Sequence, residues 1–267
     1  MIQLQVNRGR EAFTALPVTE KAKVQNLIHE IVNDTEAFIA RVQAMDSVPN
    51  NTIEPFPDLD LLKQFAVSSY WTGEKIVNVF EVVGTADPDY IDATWITMLR
   101  LGKRMRSISL PLLQENPEYY FSLADKSPDM HYTRINSKLY ISGEGNHRTS
   151  IAKALFAFLG LQNFGAVKYE EYQVDEEALR IYQDVSRMIR QKVLPIDIRP
   201  LKENYKREDT PGWKKDYYRL SFKLVNYKKD REIVINKEEL KILGQELAQA
   251  TFLKKIFSRG RYTDFLF

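Results

Sequence analysis

Apolar residues recur at intervals of three and four between residues 18 and 45, which is the spacing of a helix that buries one face. They include Val24, Leu27, Ile28, Ile31, Val32, Ala37, Phe38 and Val42. Residues 47–60 then hold three prolines and two adjacent asparagines, a composition that cannot sustain regular hydrogen bonding. The pattern therefore predicts a helix followed by a loop.

The middle of the chain has the clearest organisation. Residues 132–135 and 139–142 flank a polar Asn136-Ser-Lys segment and predict two short paired strands. A glycine loop follows at 143–148, and residues 149–159 have a helical period that ends at Gly160, the expected residue just beyond a helix. A strand over 165–172 and a helix opening at Asp175 complete the order strand, strand, glycine loop, helix, strand, helix.

The pattern changes after Pro195. The charged residues 202–209, with Pro211-Gly-Trp after them, predict a linker or a long surface loop. Residues 217–225 and 232–235 alternate around a polar turn and predict a β-hairpin, and residues 237–257 predict an amphipathic helix. Together the patterns predict an α+β protein with a mainly helical region at 1–100, a central core at 101–190 and a hairpin plus helix at 191–267.

Composition narrows the possible chemistry. The 267 residues contain no cysteine, which excludes disulfides, thiolate zinc sites, iron–sulfur clusters and cysteine nucleophiles. The first residues lack the apolar segment of a signal peptide, and no window of the chain approaches 18 consecutive apolar residues. We therefore expect a cytoplasmic protein without a membrane partner.

Charge is distributed unevenly along the chain. The formal net charge is only +2, but residues 1–186 have a net charge of −7 and residues 187–267 one of +9. Aromatic residues are interspersed among these cations, a composition that suits nucleic acid. The candidate nucleic-acid contacts are Lys214, Lys215, Arg219, Lys228, Lys229, Arg259 and Arg261. The alternative is that the basic part docks on the acidic part or is simply solvated.

The glycine loop is where polar chemistry is concentrated. Gly143 and Gly145 allow close backbone approach or positive φ, and the next helix directs its free N–H groups and positive dipole end toward the loop. This combination predicts a phosphate site. The residues expected to bind phosphate or nucleotide are Gly143, Gly145, Asn146, Arg148, Thr149 and Ser150. The alternative is a structural turn in which Asn146 or Thr149 caps the helix.

Two side chains of this loop are candidates for catalysis. His147 can exchange protons near neutral pH, and Glu144 can act as a general base or as a ligand for magnesium, which commonly accompanies phosphoryl groups. The alternatives are a histidine bound to a backbone carbonyl and a carboxylate that balances Arg148. The spacing matches neither a Walker loop nor the dinucleotide fingerprint.

The run at 139–155, followed by Gly160-Leu, the strand at 166–172 and Asp175-Glu-Glu-Ala, resembles the core of the ParB/sulfiredoxin superfamily. In that family a strand ends in a Gly-Glu-Arg-Arg or Gly-x-His-Arg box, and an alanine-rich helix, a glycine, a strand and an acidic helix start follow. The resemblance covers about residues 132–182. It implies a ParB-like fold in which residues 143–148 form the box that holds phosphate. Family members use this box to bind CTP in partition proteins, ATP in sulfiredoxin and in a serine kinase, and DNA or nucleotides in nuclease-like plasmid proteins.

This chain departs from the family in three respects. Three residues, Glu144-Gly-Asn, separate the first glycine of the box from the His-Arg pair. The absence of cysteine excludes sulfiredoxin chemistry, and the nearest upstream candidate for a second phosphate-binding segment, residues 101–106, has a different spacing. The leading hypothesis is a nucleotide- and DNA-binding hydrolase, an NTPase or nuclease, with nucleoside triphosphate and magnesium as cofactors. The alternatives are an ATP-dependent small-molecule kinase and a non-catalytic DNA-binding adaptor.

Overall fold

The computed structural model describes residues 18–45, 51–122, 129–249 and 260–266. The α-helices are α1 Val18–Asn33, α2 Thr35–Gln43, α3 Leu59–Gln64, α4 Trp95–Leu101, α5 Leu110–Glu115, α6 Glu118–Phe121, α7 Asn146–Leu159, α8 Glu176–Gln191, α9 Lys237–Gln249 and α10 Thr263–Leu266. The strands are β1 Glu54–Pro55, β2 Ala66–Asn78, β3 Val82–Thr85, β4 His131–Ile135, β5 Lys138–Ile141, β6 Asn163–Val174, β7 Ile196–Thr210, β8 Trp213–Asn226 and β9 Arg231–Ile235. Short 3₁₀ turns lie at Val79–Glu81 and Pro88–Tyr90, and one π-helical turn at Met105–Ser109. The expected α+β class is confirmed.

The helix expected over residues 18–45 is two helices. Asp34 separates them, and its side chain accepts a hydrogen bond of 3.2 Å from the Ala37 N–H. An aspartate at this position satisfies a donor that a continuous helix would not leave free, so it starts α2. Most of the predicted apolar face is buried, since Val24, Ile31 and Phe38 are all at most 1% exposed, whereas Ala37 is exposed.

The chain forms two compact units that alternate along the sequence. The first contains the described residues within 1–57, 71–171 and 210–213, and the second those within 58–70, 172–209 and 214–267. Each unit is therefore assembled from segments far apart in sequence. The region 1–100 also contains strands β1, β2 and β3 in addition to its helices.

A mixed sheet forms the centre of the first unit. β1, β3 and β5 are parallel neighbours, and β4 pairs antiparallel with β5 in the register Ile135↔Lys138, with β6 next to β4. The predicted hairpin is confirmed, and Asn136 takes the positive φ of 52° that its tight turn requires. Helix α7 packs with α1, α2 and α4, and its nearly continuous burial accounts for the apolar run after the glycine loop.

The second unit contains the packed pair α8 and α9 and the antiparallel pair β8 and β9. The hairpin predicted at 217–235 is confirmed by the register Val225↔Glu232. The linker expected at 202–209 is wrong, because these residues belong to strand β7. Almost every side chain of β7 beyond Ile198 is exposed, so the strand has no hydrophobic alternation to reveal it. It ends the sheet order beside β8, the edge position where Pro200 is tolerated.

Candidate functional site

The loop between β5 and α7 is shaped by one glycine. Gly145 has φ +133°, and a β-carbon there would lie 2.9 Å from Cε of Met130. Gly143 is different, since its β-carbon would make an ordinary 3.4 Å contact with His131. The turn therefore needs glycine at 145, and helix α7 begins at Asn146, three residues before the predicted start.

A cavity of about 450 Å³ lies beside the first turn of α7. Its lining residues are Asp87, Asp89, Tyr90, Lys103, Arg104, Ile108, Ser109, Leu112, Asn116, Tyr119, Tyr120, Glu144, Gly145, Asn146, His147 and Arg148. The cavity thus brings the predicted box together with Lys103 and Arg104, two exposed cations of the upstream candidate segment. Apolar and aromatic side chains from 108–120 supply another part of its wall.

The side chain of Asn146 ties the box to the end of β3. Its Oδ1 accepts a 2.6 Å hydrogen bond from the Thr85 hydroxyl, and its Nδ2 donates to Asp87 at 3.2 Å. The Asp87 N–H in turn donates to the Thr85 hydroxyl at 3.1 Å. Asn146 therefore orients the first turn of α7 relative to the Asp87-Pro88 turn.

His147 has a hydrogen-bond partner at each ring nitrogen. Nε2 lies 2.7 Å from the Tyr90 hydroxyl, and Nδ1 lies 3.0 Å from Oγ of Ser109. Burial lowers the pKa of His147, and the nearby Arg148 acts in the same direction while Asp87 opposes it. The lowered pKa favours the neutral imidazole, which is the form that can accept a proton.

The side chain of Arg148 is held by groups from outside the box. Its guanidinium donates to the Tyr119 hydroxyl at 2.6 Å and to the Asp129 carbonyl at 3.2 Å. Glu144 is a loose partner at 3.9 Å, and its carboxylate is 81% exposed. The aromatic ring and the carbonyl hold the arginine in place, while Glu144 is left largely in solvent.

Three residues predicted to bind phosphate lie away from the cavity lining. The Thr149 hydroxyl is fully buried and bonds to the Gly145 carbonyl and the Tyr132 hydroxyl. Ser150 is also buried and donates to the Trp95 carbonyl at 2.7 Å. These two hydroxyls, like Gly143, serve the loop and the helix rather than the cavity.

The carboxylates and the imidazole that line the cavity do not form a metal centre by themselves. Within the described residues no group of three or more His, Asp or Glu side chains is arranged to hold a metal ion. Asp87, Asp89 and Glu144 all line the cavity, but Asp87 already accepts from Asn146. The exposed carboxylate of Glu144 would be accessible to a cation that arrives with a phosphate group.

Comparison with protein-family models, curated proteins and solved structures gave no match to the chain.

Several cavity residues were absent from the sequence prediction. Tyr90 and Ser109 bind the imidazole of His147, and Tyr119 binds Arg148. Near Tyr90, the sequence offered only the Asp87-Pro88 pair, which is typical of a turn and does not indicate a contact with His147. Ser109 ends a π-helical turn, which has no recognisable sequence pattern and is common at functional sites.

The cations predicted to contact nucleic acid fall into two groups. Lys214, Arg219 and Lys228 are exposed, and Lys215 is half-buried. Lys229 instead donates to the Asp264 carbonyl at 2.6 Å, and Arg261 pairs with Glu239 at 2.5 Å. Arg259 lies outside the described residues.

Cations and aromatic rings are paired along β7 and β8. Lys202 lies 4.2 Å from the Tyr218 ring centroid, and Lys206 and Lys215 lie 5.1 and 5.0 Å from that of Tyr217. Arg219 lies 5.6 Å from the ring of Tyr205, which is 56% exposed. We call these two strands the basic ribbon.

Part of the carboxy-terminal charge is neutralised within the second unit. Lys237 of α9 pairs with Asp175 at 3.0 Å and with Glu177 at 3.3 Å, and Lys241 pairs with Glu177 at 3.5 Å. The alternative of docking against acidic residues therefore applies to α9. None of the described helices is long and apolar enough to cross a membrane.

Proposed function

We propose that the chain is a nucleotide-binding protein with a ParB/sulfiredoxin-like core, and that it transfers or hydrolyses a phosphoryl group in a DNA transaction. The cavity beside α7 holds the nucleoside triphosphate. The observation that carries the proposal is that Lys103 and Arg104 line the same cavity as residues 144–148 of the box.

The two walls of the cavity fit the two ends of a nucleotide. Lys103, Arg104 and Arg148 provide positive charge beside the amino-terminal N–H groups of α7, which suits phosphates. Ile108, Leu112 and the rings of Tyr119 and Tyr120 provide an apolar surface of the kind on which a base packs. A volume near 450 Å³ suits a mononucleotide better than a DNA duplex.

The box residues have separate tasks in this proposal. Arg148 is held by Tyr119 and Asp129, and its positive charge stabilises the charge on the transferred phosphoryl group. Neutral His147 accepts a proton from the attacking nucleophile. Magnesium bound to the phosphates would neutralise part of their charge, and Glu144, the carboxylate of the box, would contact it.

A thermal-shift titration with ATP, CTP, GTP and inorganic triphosphate, with and without magnesium, tests this proposal. Nucleotides should raise Tm of the wild-type chain, and K103Q/R104N should lose most of that rise. Asparagine is chosen at 104 because Arg104 has φ +70°, a conformation that asparagine tolerates.

The matched control is R106Q in the same segment. Arg106 is exposed, pairs with Glu36 at 3.5 Å and does not line the cavity, so its variant should keep the full shift. Equal shifts in K103Q/R104N and R106Q would argue against phosphate binding at this site. Magnesium-dependent turnover that E144A lacks would separate an enzyme from a non-catalytic adaptor.

Nucleic-acid binding by the basic ribbon is a second proposed activity. The cation–aromatic pairs favour it, because aromatic rings stack on unpaired bases while lysine and arginine contact phosphates. Lysine and arginine side chains could also contact the phosphates of a duplex without any stacking on bases. Electrophoretic titrations with single- and double-stranded DNA would distinguish these two modes.

A further inference from the structure

Ser109 and His147 form a hydrogen-bonded pair inside the cavity. Oγ of Ser109 lies 3.0 Å from Nδ1 of the imidazole, and the Tyr90 hydroxyl lies 2.7 Å from Nε2 on the opposite side of the ring. A hydroxyl, a base and a third group that orients the base are the parts of an activated nucleophile.

The backbone around Ser109 favours a functional role over a packing role. Both Ile108 and Ser109 donate their N–H groups to the Arg104 carbonyl, at 3.0 and 3.2 Å, which closes the π turn. Arg104 itself holds a left-handed φ of +70°. This costly conformation brings a serine hydroxyl, rather than an apolar side chain, against His147.

We propose that Ser109 is a phosphoryl acceptor, activated by His147, and that the chain phosphorylates itself at this hydroxyl. The proposal rests on the proposed function, because it takes the nucleoside triphosphate in the same cavity as the phosphoryl donor. Lys103, Arg104 and Arg148 line the cavity around the serine, and this positive charge favours a phosphoryl group over a neutral ester as the electrophile.

The terminal phosphoryl group passes directly from the nucleotide to Ser109. Oγ of Ser109 attacks the terminal phosphorus, and an oxygen–phosphorus bond forms while the bond to the nucleoside diphosphate breaks. The serine proton moves to Nδ1 of His147, and the diphosphate leaves with the bonding electron pair. With its proton on Nε2, the imidazole donates to Tyr90 and presents Nδ1 to the serine, so Tyr90 is a positioning residue.

The experiment incubates the full chain with γ-³²P-labelled ATP, CTP or GTP and magnesium, and then maps the label by peptide mass spectrometry. We expect phosphoserine at Ser109 in the wild-type chain and no label in S109A. S107A is the matched control, because Ser107 lies in the same π turn, is exposed and does not line the cavity. It should label at the wild-type rate.

His147 and Tyr90 are tested by rates and pH profiles. H147Q should slow labelling by about 10²-fold or more, the usual contribution of a general base, and should remove the inflection that marks the ionisation of the histidine. Y90F should slow labelling and move that inflection while leaving the nucleotide KM unchanged. A rate that falls equally at every pH in both variants would indicate only a structural role and would overturn the proposal.

Failure of the acceptor role of Ser109 and failure of nucleotide binding give different results. Nucleotide-dependent stabilisation without label at Ser109 would overturn the acceptor role and leave the proposed function intact. Absence of stabilisation by any nucleotide, together with absence of label, would overturn both. Label in S109A at the wild-type level would assign the acceptor to another residue.

Discussion

The backbone of Gly102 lies so close to the imidazole of His147 that a β-carbon at position 102 would be 3.2 Å from Nε2. The same β-carbon would be 2.5 Å from the Met98 carbonyl oxygen. Gly102 directly follows α4, and a side chain at this position would require the helix end or the imidazole to move. The glycine thus lets the 101–106 segment approach the box.

G102A should therefore disturb the site and lower stability. Overpacking of this kind costs about 1–3 kcal/mol, and the displaced imidazole should lose its bond to Tyr90. Urea unfolding and an NMR titration of His147 would measure the two effects. G160A is the control, since Gly160 has φ +64° and open space around it, so its variant should lose stability but keep the His147 titration unchanged.

The two glycines of the box should differ in tolerance to substitution. G145A places a β-carbon 2.9 Å from Met130 at a φ of +133° and should destabilise the chain strongly, while G143A meets only an ordinary contact. Thermal unfolding of both variants checks this, with a loss of several degrees expected for G145A alone. Equal losses would contradict the assignment of the turn to Gly145.

The sequence patterns predicted the elements whose conformation depends on neighbouring residues. The hairpin β4–β5, the glycine loop before α7, the helix start at Asp175 and the glycine after α7 each depend on residues close in sequence. Strand β7 was missed because its charged side chains face solvent and its backbone depends on pairing with β8. Tyr90 and Ser109 were missed because their contact with His147 joins residues 57 and 38 positions apart.

His147 should make stability depend on pH below neutrality. Burial lowers its pKa in the folded state, so the unfolded chain binds more protons as the pH falls below about 6.5. The stability present above that pH is then lost as the pH falls through the folded-state pKa. Asp87, Glu144, Arg104 and Arg148 also act on this imidazole.

Denaturant unfolding of the wild-type chain and H147Q between pH 7.5 and 5 measures this contribution. The difference in unfolding free energy between the two should shrink as the pH falls. A constant difference would mean that His147 titrates alike in the folded and unfolded states.

Lys153 should give a second pH dependence, in the alkaline range. Its ammonium group is buried in α7 beneath the Trp95 ring and donates to the Val82 carbonyl at 2.9 Å. Burial lowers its pKa to about 7, against about 10.4 in an unfolded chain. The folded state therefore binds fewer protons than the unfolded state between these values, and stability should rise with pH across that window.

K153M should flatten this rise. Relative to K153M, the wild-type chain should gain about 1 kcal/mol per pH unit between pH 7 and 10, as measured by urea unfolding. K138M is the control, because Lys138 is 54% exposed and pairs with Glu54 at 2.7 Å, and it should keep the wild-type slope. Parallel curves for K153M and the wild-type chain would show that the amine ionises normally.

The basic ribbon should account for most of the salt dependence of DNA binding. Lys214, Lys215 and Arg219 lie on β8 with exposed or half-buried side chains, whereas Lys229 and Arg261 are engaged by Asp264 and Glu239. K214Q/K215Q/R219Q should weaken binding and reduce the slope of log K against log salt by up to about 3, since each lost phosphate contact removes about one unit. K229Q/R261Q should leave the slope unchanged. Identical slopes for the two variants, measured by fluorescence anisotropy between 50 and 200 mM salt, would assign DNA binding to another surface or to none.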